Sequence, residues 1–299
     1  MYKCYNFKRF LVLLSCDIVA FFLIMLIIHS NFGGKNEGVA GIFNSQAEDS
    51  EKVFLPVIMY HSILPDTSQS TEFIVTPETI ENDLKYLKEN GYETVLPVDL
   101  VNFVDYNVPL PKKPVMITLD DGNYNNISYL FPILEKYDMC ANINIVGEYS
   151  EFFSENGEEH IEKYSYLTWE DITALSKTGR IEIGNHTYNL HSNNERRGCS
   201  KFSYETESEY RKLLFSDIGK LQNVLYEKCS LKPTTFAYPF GYISDESIPV
   251  LKEMGFRVTL TCYEKPNYIT RDSDCLYGIN RYNRPNNLST EKFMSKILA

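Results

Sequence analysis

Val115-Met116-Ile117-Thr118-Leu119-Asp120-Asp121-Gly122 is an apolar run that ends in two carboxylates and a glycine. Its first five residues, β-branched or large and apolar, read as a strand buried on both faces. Gly122 permits a sharp turn directly after the carboxylates. Neighbouring residues of a regular strand point to opposite sides, so Asp120 and Asp121 cannot do the same job from a regular backbone. One Asp suits a metal ligand and the other a proton acceptor. The plainer alternative is a turn followed by a helix cap, for which Asp-Asp-Gly is equally suited.

Working outward, short apolar runs alternate with amphipathic stretches. Strands are expected at Leu55–Tyr60, Val115–Leu119, Ala141–Val146, Ile181–Gly184, Thr235–Tyr238 and Arg257–Thr261. Helices are expected at Pro77–Asn90, Ser128–Tyr137, Trp169–Lys177, Glu205–Lys228 and Glu246–Met254, with 147–168 and 192–204 left as loops. Repeated strand–helix alternation implies a parallel α/β fold, in which chemistry collects at the C-terminal ends of the strands.

Two further strand ends carry chemistry. Gly184-Asn185-His186-Thr187-Tyr188-Asn189-Leu190-His191 holds two of the five histidines, five residues apart, so they converge only through a bend. Neutral imidazole is a common metal ligand, and Asp, His and His give three ligands with open positions, the arrangement of a catalytic metal centre. Phe236-Ala237-Tyr238-Pro239-Phe240-Gly241 ends the next strand in a tight turn whose aromatic rings suit a pocket wall.

The rest of the chain bounds the partners. Of 299 residues, 43% are hydrophobic and 14% aromatic, the composition of a folded protein. The formal net charge of −11 falls wholly on residues 51–299, which disfavours nucleic acid and anionic polymers as partners. Five cysteines lie in that body with no Cys-x-x-Cys pair, so buried free thiols are expected rather than disulfides or a cysteine metal site. At the amino end, Lys3, Lys8 and Arg9 precede the apolar run Phe10–Ile28, interrupted only by Asp17. Such a run is about long enough to span a bilayer, and the basic flank favours an inside amino terminus. Residues 1–29 are therefore read as a cytoplasmic stub and transmembrane anchor, 30–52 as a flexible tether and 53–299 as the working domain. A cleaved signal peptide is the alternative, and Leu13-Leu14-Ser15-Cys16 also looks like a lipoprotein box, although the following residues stay apolar.

Taken together, Leu119-Asp120-Asp121-Gly122, His186 to His191 and Ala237-Tyr238-Pro239-Phe240-Gly241 resemble, in order and spacing, the polysaccharide deacetylase family, also known as NodB-homology or family 4 carbohydrate esterases. The resemblance runs from about Leu55 to the carboxyl end. It implies a distorted (β/α) barrel of seven or eight strands and one divalent metal, zinc before cobalt, nickel or manganese. The implied function is a metal-dependent hydrolase that removes N-acetyl groups from an extracellular or cell-wall polysaccharide: poly-N-acetylglucosamine, peptidoglycan or a chitin-like polymer. Carried over by position, Asp120 would be the general base and Asp121, His186 and His191 the metal ligands. The turn Tyr238, Pro239, Phe240 and Gly241 would wall the acetyl pocket, with the Phe240 N–H helping to bind the oxyanion. The protein is then expected in a bacterial cell membrane, single-pass, with its domain on the extracytoplasmic side; secretion is the alternative.

The departures from that pattern are informative. A five-residue histidine spacing resembles the subgroup that deacetylates poly-N-acetylglucosamine. The family's base-orienting Arg is replaced by Ala237, and no histidine follows His191, so the family's Leu-x-His general acid is missing. Of the remaining histidines, His29 abuts the membrane run and His160 lies in an acidic stretch. His61 ends the first strand, at the mouth shared by the other motifs, and is the candidate general acid. An O-acetyl esterase and a non-catalytic glycan-binding relative are the alternative functions.

Overall fold

Eight short strands follow one another, the first six almost as the apolar runs predict. In the computed structural model they are β1 (Val57–Tyr60), β2 (Pro114–Leu119), β3 (Ala141–Ile145), β4 (Ile181–Asn185), β5 (Thr235–Ala237), β6 (Val258–Leu260), β7 (Tyr277–Ile279) and β8 (Tyr282–Asn283). The structure describes residues 52–66, 68, 72–156 and 160–298. The anchor and all but the last residue of the expected tether lie outside the described residues, among which no helix is long and apolar enough to cross a membrane.

All eight strands pair in parallel, in the order β7-β6-β5-β4-β3-β2-β1-β8. The two ends of that path, β7 and β8, are consecutive in the chain, with only Asn280 and Arg281 between them. Thr261 N–H donates to Ile279 O at 2.8 Å and Arg284 N–H to Met59 O at 3.0 Å, so one passage of chain is bonded to both edges. The result is a parallel-strand partial barrel, in keeping with the expected α/β class. A short extra strand, Glu93–Thr94, pairs with the foot of β2.

Helices α1 (Pro77–Glu89), α2 (Pro97–Tyr106), α3 (Phe131–Tyr137), α4 (Gly147–Asn156), α5 (Trp169–Ser176), α6 (Glu207–Cys229), α7 (Ser247–Glu253) and α8 (Thr290–Ile297) connect and cover the strands. Alternation assigns each strand residue its layer. Ile117, Ile143 and Ile183 pack outward with Leu84, Leu134 and Ile172 of the helices. Val57, Met116, Val258 and Leu260 pack with Leu100 and Phe103 of α2 and close the foot of the sheet. Burying each such side chain contributes about 1.5–3 kcal/mol, which holds the strand ends in place. Helices α2, α4 and α8 were not anticipated. The first ten residues of the expected loop 147–168 form α4, which faces the site, whereas 192–204 carries only the isolated bridge Asn193–Arg197. All five cysteines of the described residues are free thiols.

Candidate active site

The Asp pair sits where β2 stops. Asp120 N–H still donates to Tyr60 O, at 3.1 Å, and the backbone then turns left-handed at Asp121 (φ 71°) and Gly122 (φ 74°). Two left-handed residues in a row abolish the strand alternation, and both carboxylates face one imidazole. His186 Nε2 lies 3.9 Å from Asp120 Oδ2 and 3.7 Å from Asp121 Oδ1. The expectation that adjacent carboxylates diverge fails here because Asp121 accepts a conformation that costs an ordinary residue roughly 1 kcal/mol or more. Gly122 cannot be replaced at that price: a Cβ would lie 2.9 Å from Ile145 Cγ2.

The histidines meet by the same device. Thr187 is left-handed (φ 75°), an unusual state for a β-branched residue, and fully buried. It turns the chain so that the His186 and His191 rings come to 5.0 Å between centroids. Asp217 of α6 holds the loop between them, its two oxygens accepting from Tyr188 N–H at 2.8 Å and Asn189 N–H at 2.9 Å. Burial pushes the Asp217 carboxyl up to about 6, against the pull of those backbone donors.

His186 Nδ1 lies 2.8 Å from Ala237 O. A carbonyl only accepts, so Nδ1 carries the proton and Nε2 presents a lone pair towards Asp121. Burial lowers His186 to about 4, so the ring is neutral at pH 7. Asp121 Oδ1 is buried and makes no hydrogen bond, although His191 Nε2 is 3.2 Å away. A buried carboxylate oxygen that faces two imidazole nitrogens and makes no hydrogen bond is unsatisfied unless a cation joins them. One atom from each of Asp121, His186 and His191 lies within 4.8 Å of the others, and three ligands of this chemistry fit a divalent metal. Tyr149 OH, 3.4 Å from His191 Nδ1, backs the second histidine.

The other carboxylate is held by three donors. Arg281, from the link between β7 and β8, donates Nη1 to Asp120 Oδ1 and Nη2 to Oδ2, both at 2.7 Å. Asn144 of β3 adds Nδ2 to Oδ1 at 2.9 Å. Burial alone would raise the Asp120 carboxyl, but the Arg281 guanidinium holds it well below the usual carboxylate range. The arginine that looked absent at Ala237 is therefore supplied by Arg281, 161 residues along the chain from Asp120. No local pattern announces it: Arg281 stands among Asn280, Asn283 and a second arginine, Arg284, with nothing to single it out.

His61, Asp120, Asp121, His186, His191 and Phe240 line one cleft of about 480 Å³. His61 Nδ1 is buried without a partner, and its ring meets Phe73 edge-on at 4.9 Å. Of the turn Tyr238, Pro239, Phe240 and Gly241, only Phe240 lines the cleft. Tyr238 does not wall it: the residue is 1% exposed and its hydroxyl pairs with Ser247 at 2.7 Å. Pro239 and Gly241 shape the turn, whose own bonds use the N–H groups of Gly241 and Tyr242.

Comparison with known proteins places the chain among relatives of one kind. Poly-beta-1,6-N-acetyl-D-glucosamine N-deacetylase of Escherichia coli (strain K12) is 24% identical over 260 residues, which are 81% of this chain but 38% of that protein. The protein of the same description from Staphylococcus aureus (strain NCTC 8325 / PS 47) is 26% identical over 207 residues, 69% of this chain and 66% of its own. The chain thus spans well under half of the E. coli relative. The solved structure of IcaB from Ammonifex degensii superposes with a TM-score of 0.66 at 24% identity, covering 82% of this chain and 97% of that one. The de-N-acetylase from Aggregatibacter actinomycetemcomitans gives 0.69 at 21%, covering 82% and 100%. These two establish the fold. A family model described as polysaccharide deacetylase matches residues 107–259, a span that holds both aspartates, both histidines and Phe240. With that match over half its length, the chain belongs to the polysaccharide deacetylase family.

Proposed function

We propose that this chain is a metal-dependent N-deacetylase of an extracytoplasmic polysaccharide of the poly-β-1,6-N-acetylglucosamine kind. One observation carries the reading: the unsatisfied Asp121 Oδ1 faces two imidazole nitrogens beside a carboxylate clamped by Arg281. The polymer is inferred from the five-residue histidine spacing and from relatives described as poly-beta-1,6-N-acetyl-D-glucosamine N-deacetylases.

Asp121, His186 and His191 hold the metal, zinc or a similar divalent ion, which when bound supplies Lewis acidity to the acetyl carbonyl and to water. Asp120 is the general base. Its ionised form is secured by Arg281, and it accepts the proton of the attacking water. The Phe240 N–H, which the turn leaves unused, donates to the oxyanion. His61 gives the proton that lets the amine leave. Among the described residues the cleft is lined by Glu72 and Glu264 and by no Lys or Arg, which suits a neutral polymer whose product is cationic. The placement of the domain outside the cytoplasm rests on the sequence of residues 1–29.

The full chain, purified in detergent, tests the reading on acetylated oligosaccharides. Acetate release from β-1,6-linked N-acetylglucosamine that stops on chelation and returns with metal is the expected result. Release only from O-acetylated glycans would make it an esterase. Tight glycan binding without release would make it a non-catalytic relative.

A further inference from the structure

Asn144 contributes more than filling to the barrel interior. It is fully buried, and its amide has one committed end and one orphaned end. Nδ2 donates to Asp120 Oδ1 at 2.9 Å and, at 3.4 Å, to Leu119 O, whereas Oδ1 of the same amide is buried without any partner. An unpaired buried carbonyl is costly, so the site tolerates it only for what the other end secures. The neighbouring strand is cut to fit: a Cβ on Gly184 would lie 2.0 Å from Asn144 Oδ1. Only a residue without a side chain at 184 lets the amide occupy this place.

A carboxylate offers about four lone-pair positions, two per oxygen. Asp120 Oδ1 accepts from both Arg281 Nη1 and Asn144 Nδ2, and is filled. Oδ2 accepts from Arg281 Nη2 alone and is the oxygen nearer His186 Nε2. Arg281 by itself treats the two oxygens alike; Asn144 makes them different. We infer that Asn144, given room by Gly184, is a positioning residue that saturates Oδ1 and so leaves Oδ2 as the single oxygen of Asp120 able to take a proton. This rests on the assignment of Asp120 as the base.

The test compares Asn144→Leu, Gly184→Ala, Asn144→Ala and the double variant Asn144→Ala/Gly184→Ala in the full chain. Asn144→Leu keeps the bulk and removes the donor. Gly184→Ala keeps the donor and pushes it away, with Asn142 Nδ2, at 3.2 Å from the new Cβ, shifting only slightly. Each single change should lower kcat on the N-acetyl oligosaccharide on the order of 10²-fold, the usual cost of a small misplacement, with KM and metal content unchanged. The double variant should be no worse than Asn144→Ala, because the clash is then gone. Wild-type kcat in Asn144→Leu, or losses that multiply in the double variant, would overturn the inference. Should the wild-type chain release no acetate, the function reading falls by itself. Crystal structures then decide: a water or other new donor on Asp120 Oδ1 in Asn144→Ala supports the inference, and an Oδ1 left with Arg281 alone overturns it.

Discussion

Asp120 accepts three hydrogen bonds from Arg281 and Asn144, whereas Asp121 Oδ1, one residue further on, accepts none and faces His186 and His191. Both are acidic groups at the end of one strand, and one left-handed residue separates their fates. A carboxylate whose partners are all protein is ready to act as it stands. A buried carboxylate oxygen that faces two imidazoles without a hydrogen bond suits a cation's ligand. On the proposed reading the two halves of the site divide the labour: Asp120 is held by protein donors, and Asp121 with His186 and His191 would hold the metal.

The widest test of that division is Asp120→Asn. The variant keeps the shape of the side chain and loses the base, so turnover should fall by roughly 10²–10⁴-fold with the metal retained. His61→Ala should act on neither half and cost less. Its loss should be large on an N-acetyl sugar, whose amine needs a proton to leave, and small on an activated aryl acetate. Equal losses on both substrates, or a change in KM alone, would remove His61 from the acid role.

A partly buried carboxylate, Glu182, offers a contrast from the foot of the same sheet. It accepts from Val98 N–H at 2.9 Å and the Thr235 hydroxyl at 3.0 Å, but no cation offsets its burial, and the carboxyl is pushed up to about 7. The folded protein therefore holds a proton there that the unfolded chain, near 4.5, has already lost. Its stabilising contribution is complete below about pH 4.5 and is lost as pH rises through about 7. Glu182→Gln should remove that part of the pH dependence and be the more stable protein at pH 8. The gain is on the order of 3 kcal/mol at most by linkage. Denaturant unfolding at pH 5 and pH 8 reads it; equal stability of the two proteins at pH 8 would show that the carboxylate is solvated after all.

What could be read from the sequence follows the reach of each interaction. The core strands and the residues Asp120, Asp121, His186, His191 and Phe240 were legible because apolar runs and strand-end signals are local. Expected and observed bounds differ by two residues at most for these strands. β7 and β8 were not, since three and two residues carry no periodicity. Arg281 and Asn144 reach Asp120 across 161 and 24 residues of chain, and only the folded sheet brings them together. The convergence of the carboxylates was hidden for another reason: left-handed backbone at Asp121 and Thr187 is imposed by tertiary structure on residues that do not advertise it. Tyr238 was misread because alternation had turned it outward, onto Ser247 and α7.

The central claim is that one aspartate is the base and its neighbour the ligand. Elemental analysis of the purified Asp120→Asn and Asp121→Asn chains, prepared with the same divalent metal, tests it most directly. One metal ion per chain is expected in Asp120→Asn and a largely empty site in Asp121→Asn. Equal metal content in the two variants, whether full or empty, would contradict it.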